Sequence, residues 1–555
     1  MRAALLPILL LLAASGCGPD PAREYFYESP LRPYFSPESA DPTLLVPRRA
    51  GTSAKSFRLP KPRGLLRVFV VGGSIAALHQ ELPSDLGRLL AAALPDRTVE
   101  VINCGQAGYE SEREERLARE LVAYEPDLVV LMTGHNERDD APLLPLWRLR
   151  LGALTARLRP ARAPAPVDAD RRARLQAAFE RRVDELLATL QAAGVPALVV
   201  LPPLNAEHPT EASWPRDADF LAGWRAFLAG DGARARAAWK PVLDEARDGA
   251  SLAAILDARA SLRAGRSAEA RREALAALDA RPLFGGRCAK ACRDALAAAA
   301  ARRGAAVADL DAAFRRAAAP GFPGYAHFDD AVHWNAAHHA LAMKAVLAGA
   351  RTAPRWRDLE WNGSLPALPS PPRDENLFLY AVAALGSAGA GAPPPAAVLA
   401  LERVLRLDPA ALDGGLEAAR GRAAGHPGFR RAWGAVELSI DEGDWAWATG
   451  LARLHAFGPR AALDALAAAA SLRPEASAAR LHLGAALALA GRLMEADAAF
   501  EAALPQASEP RRAAALAALA LGARSRSVIA AALPPLEERL AARRRDALAL
   551  QAARG

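Results

Sequence analysis

The sequence has few lysines, no block of basic residues and no long apolar run, and these absences exclude two classes of protein. Only five of its 70 basic residues are lysine, and the net charge is only +8 over 555 residues. The arginines alternate with acidic residues, so no basic block marks a nucleic-acid surface. No run of eighteen uninterrupted apolar residues occurs. We therefore expect no nucleic-acid partner and no membrane-spanning helix.

What the sequence does contain is alanine, within a composition typical of folded proteins. Hydrophobic residues make up 52% and charged residues 24% of the chain. At about 150 residues per domain, this length predicts three or four folded units. Alanine-rich stretches punctuated by arginine and leucine favour helix, so much of the chain should be helical.

The amino terminus is typical of an export signal. Met1-Arg2 precedes an apolar run at 3–14, and Ser15-Gly16 leads to Cys17. We interpret 1–16 as a signal peptide, too short to span a bilayer. The segment resembles a bacterial lipobox, which implies that Cys17 is lipidated and that 17–64 is a tether. The resemblance places the protein in the bacterial cell envelope, lipid-anchored on the periplasmic side or at the cell surface. Plain secretion is the alternative, because Ala14 stands where a lipobox usually has leucine.

Short apolar segments alternate with helical ones over the first 350 residues, which predicts an α/β domain. A capping box at Ser111 and Glu114 predicts the start of one of these helices. Buried apolar strands joined by helices indicate a parallel sheet covered on both faces. The predicted strands lie at 67–71, 99–103, 127–132, 196–201 and 306–310.

Two helical regions interrupt and follow this α/β domain. They are an insertion at 216–282, which splits the domain into 65–215 and 283–350, and a C-terminal region at 373–555 after a linker at 351–372. In the latter, Gly450 and Gly484 lie 34 residues apart, which is the period of tetratricopeptide (TPR) helix pairs. We therefore predict all-α, TPR-like repeats in both regions. Chance matches between alanine-rich hairpins are the alternative.

Four segments with chemically useful side chains follow predicted strands. They contain Ser74, Gly108, Asn136 and, after the fifth strand, Asp330 with His333. Carboxyl ends of parallel strands share the edge where open α/β sheets place ligands. A serine nucleophile needs a histidine to take its proton and a carboxylate to orient that histidine. The backbone N–H groups of Ser74 and Gly108 and the Asn136 amide could serve as oxyanion donors.

With these residues in this order, the sequence resembles the SGNH (GDSL-like) hydrolase superfamily, named after a serine, a glycine, an asparagine and a histidine. Gly-Gly-Ser-Ile at 72–75 replaces the Gly-Asp-Ser-Leu of that family. The resemblance implies a flavodoxin-like, three-layer parallel sheet and acyl transfer without a cofactor or metal. It also implies Ser74, Asp330 and His333 as the triad, with Ser74, Gly108 and Asn136 as the oxyanion hole.

Several residues have simpler interpretations. The loop at 72–74 could bind phosphate, but no GxGxxG or GK[ST] pattern supports this. Ala76 rules out a G-x-S-x-G elbow. Asn136 could cap its loop, and His333 could be structural. We expect Cys288 and Cys292 to be packing residues, because a disulfide across one helical turn is awkward and no histidine pair supports zinc. The remaining histidines of these segments are expected at the surface or in helices, namely His135, His327, His338 and His339.

The sequence therefore predicts a cell-envelope serine esterase acting on an ester, with an O-acylated carbohydrate as one candidate substrate. An O-acyltransferase using the same site is one alternative. A lipid-anchored scaffold with a vestigial hydrolase domain is another. Expected partners are the ester substrate, a protein bound by the TPR-like repeats and, through the lipid, a membrane.

Overall fold

The structure is a computed structural model, and part of the chain is described here. The segment 1–16 that we predict to be a signal peptide, Cys17 and the end of the C-terminal region lie outside the described residues. The described residues are 33–48, 54–79, 81–106, 108–137, 169–211, 214–215, 217–279, 288, 290–368, 375–387, 393–425 and 440–503.

The order of elements along the chain matches the predicted alternation of strands and helices, followed by helices alone. The strands are β1 Phe35–Pro37, β2 Leu44–Pro47, β3 Phe57–Arg58, β4 Leu65–Gly72, β5 Thr98–Asn103, β6 Leu128–Met132, β7 Ala197–Leu201 and β8 Ala306–Asp309. The helices are α1 Ser74–Leu78, α2 Leu82–Ala93, α3 Ser111–Leu121, α4 Ala169–Ala192, α5 Ala218–Leu228, α6 Gly232–Asp244, α7 Ala250–Arg263, α8 Ser267–Asp279, α9 Lys290–Arg303, α10 Leu310–Ala317, α11 Ala336–Ala350, α12 Glu375–Ser387, α13 Pro395–Leu407, α14 Gly415–Gly425, α15 Glu442–Phe457, α16 Pro459–Leu472, α17 Ser477–Leu489 and α18 Leu493–Ala503.

The five predicted strands form one parallel sheet in the order β5-β4-β6-β7-β8. This is the 2-1-3-4-5 order of flavodoxin-like folds, in which the connection reverses direction after the second strand. The α/β prediction is therefore confirmed, with strand ends within about two residues of those expected from the sequence. The reversal places the carboxyl ends of β4, β5 and β6 side by side.

Helices cover both faces of this sheet. Successive residues of a strand point to opposite faces, and Val199 of β7 belongs to the core that includes residues of α4 and α9. On the other face, Leu198 lies against Gly349 of α11, where a Cβ would come within 2.8 Å of its side chain. Three layers follow from these contacts.

Part of the segment expected to be a tether is folded. Strands β1, β2 and β3 form a small antiparallel sheet. The Phe35 and Phe57 rings pack edge-on, 4.9 Å between centroids, and Phe57 lies 5.5 Å from Phe69 of β4. Backbone N–H groups of Tyr34 and Phe35 donate to the Glu120 carboxylate. Of the segment 17–64, predicted to be a tether, the described residues 33–48 and 54–64 are therefore folded, because these aromatic side chains extend the core.

Several of the other helices pair into hairpins, and three of these hairpins share one contact. In three hairpins a glycine of the first helix faces a large side chain 16 positions later. A Cβ on that glycine would lie 2.3 to 2.7 Å from the facing side chain. Helices occupy most of the described residues 218–279 and parts of 375–503, and the assignment of these regions to all-α, TPR-like repeats stays a prediction. The three contacts are Gly223 with Trp239, Gly450 with Leu466 and Gly484 with Phe500.

The chain divides into two compact units, with boundaries that differ from the predicted ones. The first unit comprises 1–203, 281–313 and 340–369, and contains both sheets; the second comprises 204–280, 314–339 and 370–555. The segment 314–339, predicted within the α/β domain, thus groups with the helical hairpins. Across the residues described, no helix is both long and apolar enough to cross a membrane.

Candidate active site

Ser74 stands at the tight turn that follows strand β4. β4 ends at Gly72, and Ser74 is the first residue of the short helix α1. A Cβ on Gly72 would come within 2.6 Å of the Met132 carbonyl oxygen, so glycine lets β4 and β6 approach here. The first-turn N–H groups of a helix have no acceptor within the helix. The Ser74 N–H is therefore suited to donate a hydrogen bond to a substrate oxygen.

The loop after β5 braces this turn. The Asn103 side chain donates to the Ala76 carbonyl oxygen at 2.7 Å and accepts from the Gly105 N–H at 2.9 Å. A Cβ on Gly105 would lie 2.6 Å from the Ala76 Cβ. Farther along, Gly108 has φ +78°, a conformation that favours glycine. Sequence analysis missed the role of Asn103, which fixes the helix that begins at Ser74.

Asn136 lies directly over the turn that carries Ser74. Its Nδ2 donates to the Tyr109 carbonyl oxygen at 2.9 Å. A Cβ on Gly73 would come within 2.2 Å of the same nitrogen. The Asn136 amide therefore packs directly against the Gly73 backbone, and a side chain at position 73 would displace it. Ser74 and Asn136 line one hollow of about 170 Å³, a volume that includes open solvent. The hollow is completed by Gly73, Ile75, Tyr109, Met132, Gly134 and His135.

The residue after Asn136 ties its loop to helix α3. Glu137 is 3% exposed and accepts from the Ser111 N–H at 2.9 Å and the Ser111 hydroxyl at 2.8 Å. Burial, opposed by these two bonds, raises the pKa of Glu137. The predicted capping box is wrong: Ser111 is the first helical residue, Glu110 is the N-cap and no side chain caps it. The Ser111 hydroxyl binds the neighbouring loop instead.

The cysteines and His135 depart from expectation. Cys288 and Cys292 form a disulfide, so their interpretation as simple packing residues is wrong. A Cβ on Gly134 would lie 2.5 Å from Cys292 Sγ, which places the disulfide against the Asn136 loop. His135 is 5% exposed, not at the surface, and its Nδ1 accepts from the Cys288 N–H at 3.0 Å.

Asp330 and His333 form a hydrogen-bonded pair on one turn in the second unit. Their Oδ2 and Nδ1 atoms are 2.6 Å apart. The other oxygen, Oδ1, accepts from the N–H groups of Val332 and His333, both at 2.8 Å. A backbone bridge between Phe328 and Trp334 closes the turn. The Asp330 carboxylate is thus fixed by its own turn as well as by the imidazole.

The electrostatics of the pair favour an imidazolium supported by a carboxylate. Burial alone would raise the pKa of Asp330, but His333 and the backbone N–H donors outweigh it and hold that pKa well below its usual range. Burial likewise opposes a charge on His333, yet Asp330 and then Asp329 raise the pKa of His333. Among the described residues, none hydrogen-bonds the shielded Nε2 of His333. This nitrogen is the one that a general base would use.

The structure brings the predicted residues together in two groups. Ser74 and Asn136 share the hollow in the first unit, whereas Asp330 and His333 pair in the second. Gly108 does not line the hollow, although its neighbour Tyr109 does. Within the described ranges, no group of three or more His, Cys, Asp or Glu side chains could hold a metal ion.

Comparison with known proteins supports a hydrolase domain. Residues 70–258, about a third of the chain, match the GDSL-like Lipase/Acylhydrolase family; this span includes Ser74, Gly108 and Asn136 and ends before Asp330. No curated protein matches the chain.

Solved structures give only distant likenesses. One, described as a GDSL-like lipase from Parabacteroides merdae, is 11% identical with a TM-score of 0.27, covering 52% of this chain and 96% of that one. Another, described as an SGNH hydrolase from Slackia heliotrinireducens, is 16% identical with a TM-score of 0.25, covering 51% and 98%. Likenesses at these scores carry no argument. The match of residues 70–258 to the family supports a GDSL-like (SGNH) hydrolase domain in this chain.

Proposed function

We propose that this protein is a serine acyl hydrolase that cleaves carboxylic esters with Ser74 as nucleophile. The observation that carries the proposal is the Asp330–His333 pair, in which Nδ1 is held at 2.6 Å and Nε2 has no partner among the described residues. A histidine fixed in this way has the tautomer of a general base. The match to a hydrolase family over the segment that contains Ser74 supports the same reaction.

In the proposed cycle, His333 Nε2 takes the hydroxyl proton as Ser74 Oγ bonds to the ester carbonyl carbon. The resulting oxyanion receives hydrogen bonds from the Ser74 and Gly108 N–H groups and from Asn136 Nδ2. Imidazolium His333 then returns the proton to the departing alkoxide, which leaves as an alcohol. Water then loses a proton to His333 and attacks the carbonyl carbon of acyl-Ser74. As the acid is released, imidazolium His333 returns that proton to Ser74 Oγ.

The test combines active-site labelling with ester hydrolysis. Wild type should react with a fluorophosphonate probe and hydrolyse a short-chain p-nitrophenyl ester. Ser74→Ala and His333→Ala should each lower turnover by about 10⁴–10⁶-fold, and the double variant should lose little more, because triad members act as a unit. Ser84→Ala is the matched control, since the exposed Ser84 donates only to a backbone carbonyl of its own helix start. Near-normal turnover by Ser74→Ala would exclude the proposal.

The acceptor of the acyl group decides between hydrolysis and transfer. We propose water, with O-acylated carbohydrate as the substrate class to test first. Incubation of an acetylated glycan with the enzyme should release acetate. Acetyl groups found instead on an added unacetylated glycan would identify an O-acyltransferase using the same Ser74. If the wild-type protein binds a partner protein but does not react with the fluorophosphonate probe, the scaffold alternative is favoured.

We also propose that Cys17, which lies outside the described residues, carries a lipid anchor. Each buried methylene contributes roughly 0.8 kcal/mol, so a multiply acylated chain should stay with membranes through salt washes. Cys17→Ser should release the protein or block its maturation. Recovery of the wild type in the soluble fraction would overturn the anchor.

A further inference from the structure

The turn that carries Asp330 and His333 is held by a segment for which sequence analysis found no role. Asn205, four residues after the end of β7, is fully buried. Its Nδ2 donates to the Asp330 carbonyl oxygen at 2.8 Å, and its N–H donates to the Ala331 carbonyl oxygen at 3.0 Å. The Ala206 N–H donates to the Pro323 carbonyl oxygen at 2.8 Å. Residues 205–206 thus hydrogen-bond the backbone of this loop both before the turn, at Pro323, and within it, at Asp330 and Ala331.

The next residue, Glu207, binds the same loop and connects that loop to helix α7. Its Oε2 accepts from the Tyr325 N–H at 2.9 Å, and its Oε1 accepts from Arg259 Nε of α7 at 2.8 Å. Arg259 Nη1 in turn donates to Glu402 Oε2 of α13 at 2.7 Å. A Cβ on Gly324 would come within 2.2 Å of Glu207 Oε2. The Glu207 carboxylate therefore packs against the Gly324 backbone, in space that a side chain at position 324 would fill.

The ion pairs in this network are largely shielded from solvent. Burial opposes the charge on Glu402, yet Arg259, His455 and Arg406 lower the pKa of Glu402 to about 2. The Tyr325 hydroxyl adds a bond to the Ala396 carbonyl oxygen of α13 at 3.2 Å. Loss of one partner of a buried ion pair is destabilising, because it leaves the other charge uncompensated. The loop that carries Asp330 is thus connected to α7 through Glu207 and Arg259, and to α13 through the Tyr325 hydroxyl.

We infer that Asn205 and Glu207 are positioning residues that hold the Asp330–His333 turn in its working geometry, with the Arg259–Glu402 pair as their anchor in the helical hairpins. The inference rests on the proposed function and adds to it a role for helices α7 and α13 of the second unit. A misplacement of about 1 Å in a catalytic group can cost on the order of 10²-fold in rate. Two hydrogen bonds from Asn205 to the backbone of residues 330 and 331 are suited to prevent such a shift.

Two variants and one control test the inference. Asn205→Ala removes the amide donor to Asp330. Glu207→Gln keeps a carbonyl oxygen for the Tyr325 N–H but removes the charge that faces Arg259. The control is Arg236→Met, because Arg236 is an equally well-paired arginine of the same insertion, bonding Asp257 at 3.1 Å and also Glu269. It lies on α6 and binds α7 and α8, with no bond to the segment 205–207 among the contacts described.

The readouts are kcat and KM, the melting temperature, and the His333 pKa from NMR titration of ¹³C-labelled histidines. Asn205→Ala should lower kcat by about 10–100-fold with a smaller change in KM. It should also lower the pKa of His333, since Asp330 and Asp329 are the charged groups that raise it. Glu207→Gln should change both quantities in the same direction by less. Arg236→Met should lower the melting temperature alone.

Folded Asn205→Ala protein with wild-type kcat and His333 pKa would overturn the inference. Equal losses of kcat in Asn205→Ala and Arg236→Met would also overturn it, because general destabilisation would then suffice. The His333 titration keeps the two proposals separate. An unchanged titration in Asn205→Ala refutes positioning whatever the activity, whereas a wild type without esterase activity or serine labelling refutes the proposed function.

Discussion

Nδ1 of His333 lies 2.6 Å from Oδ2 of Asp330, on a turn so short that the same carboxylate also accepts the His333 N–H. Both contacts favour ionised Asp330 and, against the effect of burial, hold its pKa well below its usual range. The imidazole is the member of this pair whose ordinary pKa lies close to neutral pH, and Asp330 raises the pKa of His333 above that ordinary value.

The first prediction is an acid limb in the pH profile of kcat/KM. Only neutral His333 can take a proton from Ser74, so activity should rise with pH through the His333 pKa of the free enzyme. Since Asp330 raises the pKa of His333 above its ordinary value of 6.5, half-maximal kcat/KM should fall above pH 6.5. The measurement is kcat/KM for a short-chain ester whose own hydrolysis is subtracted at each pH.

Asp330→Asn provides the companion test. Loss of this carboxylate should cost about 10⁴-fold in kcat, as it does in serine proteases. The pKa of His333 should fall, because burial, the largest influence on it, then acts with less opposition. The neighbouring Asp329→Asn should have a much smaller effect on kcat. A half-maximal pH unchanged in Asp330→Asn would contradict the assignment of the limb to this pair.

The second prediction concerns Asn136. If its amide donates to the oxyanion, Asn136→Ala should lower kcat by about 10²–10³-fold with little change in KM, because that charge develops only in the transition state. Gly73→Ala should act similarly, since its Cβ would displace the amide. The exposed Asn362, which accepts from the Ser364 N–H, is the control asparagine. An Asn136→Ala enzyme with a lowered melting temperature but full activity would mean that Asn136 only caps its loop.

Much of this site was predictable because parallel strands end at a common edge. The apolar runs at β4, β5 and β6 identified the strands, and the residues after them included Ser74 and Asn136, which the structure places in one hollow. The Asp330–His333 pair followed from their separation of three, which one turn can bridge. These relationships are local or follow from the order of strands.

Contacts between loops were not predictable in the same way. Asn205 also follows a strand, but nothing in its neighbourhood says that its amide reaches the Asp330 carbonyl, 125 residues away. The Ser111 hydroxyl was expected to cap its own helix, and Glu137 outcompetes that arrangement through two hydrogen bonds. A sequence pattern indicates where a helix or strand is favoured, but tertiary packing decides which group a side chain such as Asn205 or Ser111 bonds.

The third prediction follows from the contact between Ser111 and Glu137. Ser111→Ala removes the hydroxyl donor and leaves one oxygen of a buried carboxylate unsatisfied, which typically costs about 1–3 kcal/mol. Because Glu137 adjoins Asn136, kcat should also fall, by less than in Asn136→Ala. Both quantities are measurable on one preparation by thermal denaturation and ester hydrolysis. Ser84→Ala, at an exposed serine, should change neither, and equal behaviour of the two serine variants would remove Ser111 from the support of the site.

The fourth prediction tests whether the 34-residue spacing reflects a repeated structural unit. Gly450 and Gly484 occupy equivalent places, each facing a large side chain 16 positions later, Leu466 or Phe500. Alanine at either position should destabilise the chain by about 1–3 kcal/mol through overpacking, as measured by chemical denaturation. The control is Gly421→Ala in α14, where a Cβ would meet nothing within 4 Å. There the same substitution should stabilise the chain by about 0.5–1 kcal/mol, because alanine favours helix over glycine.

The partner residue makes this prediction specific. Phe500→Leu should relieve the crowding that Gly484→Ala creates, so the double variant should be more stable than the sum of the single effects predicts. Phe500→Leu should not rescue Gly450→Ala, whose Cβ meets Leu466 in another hairpin. Additive energies in the first pair would show that Gly484 does not need to be glycine for packing, and the shared spacing would then be a chance match between alanine-rich hairpins.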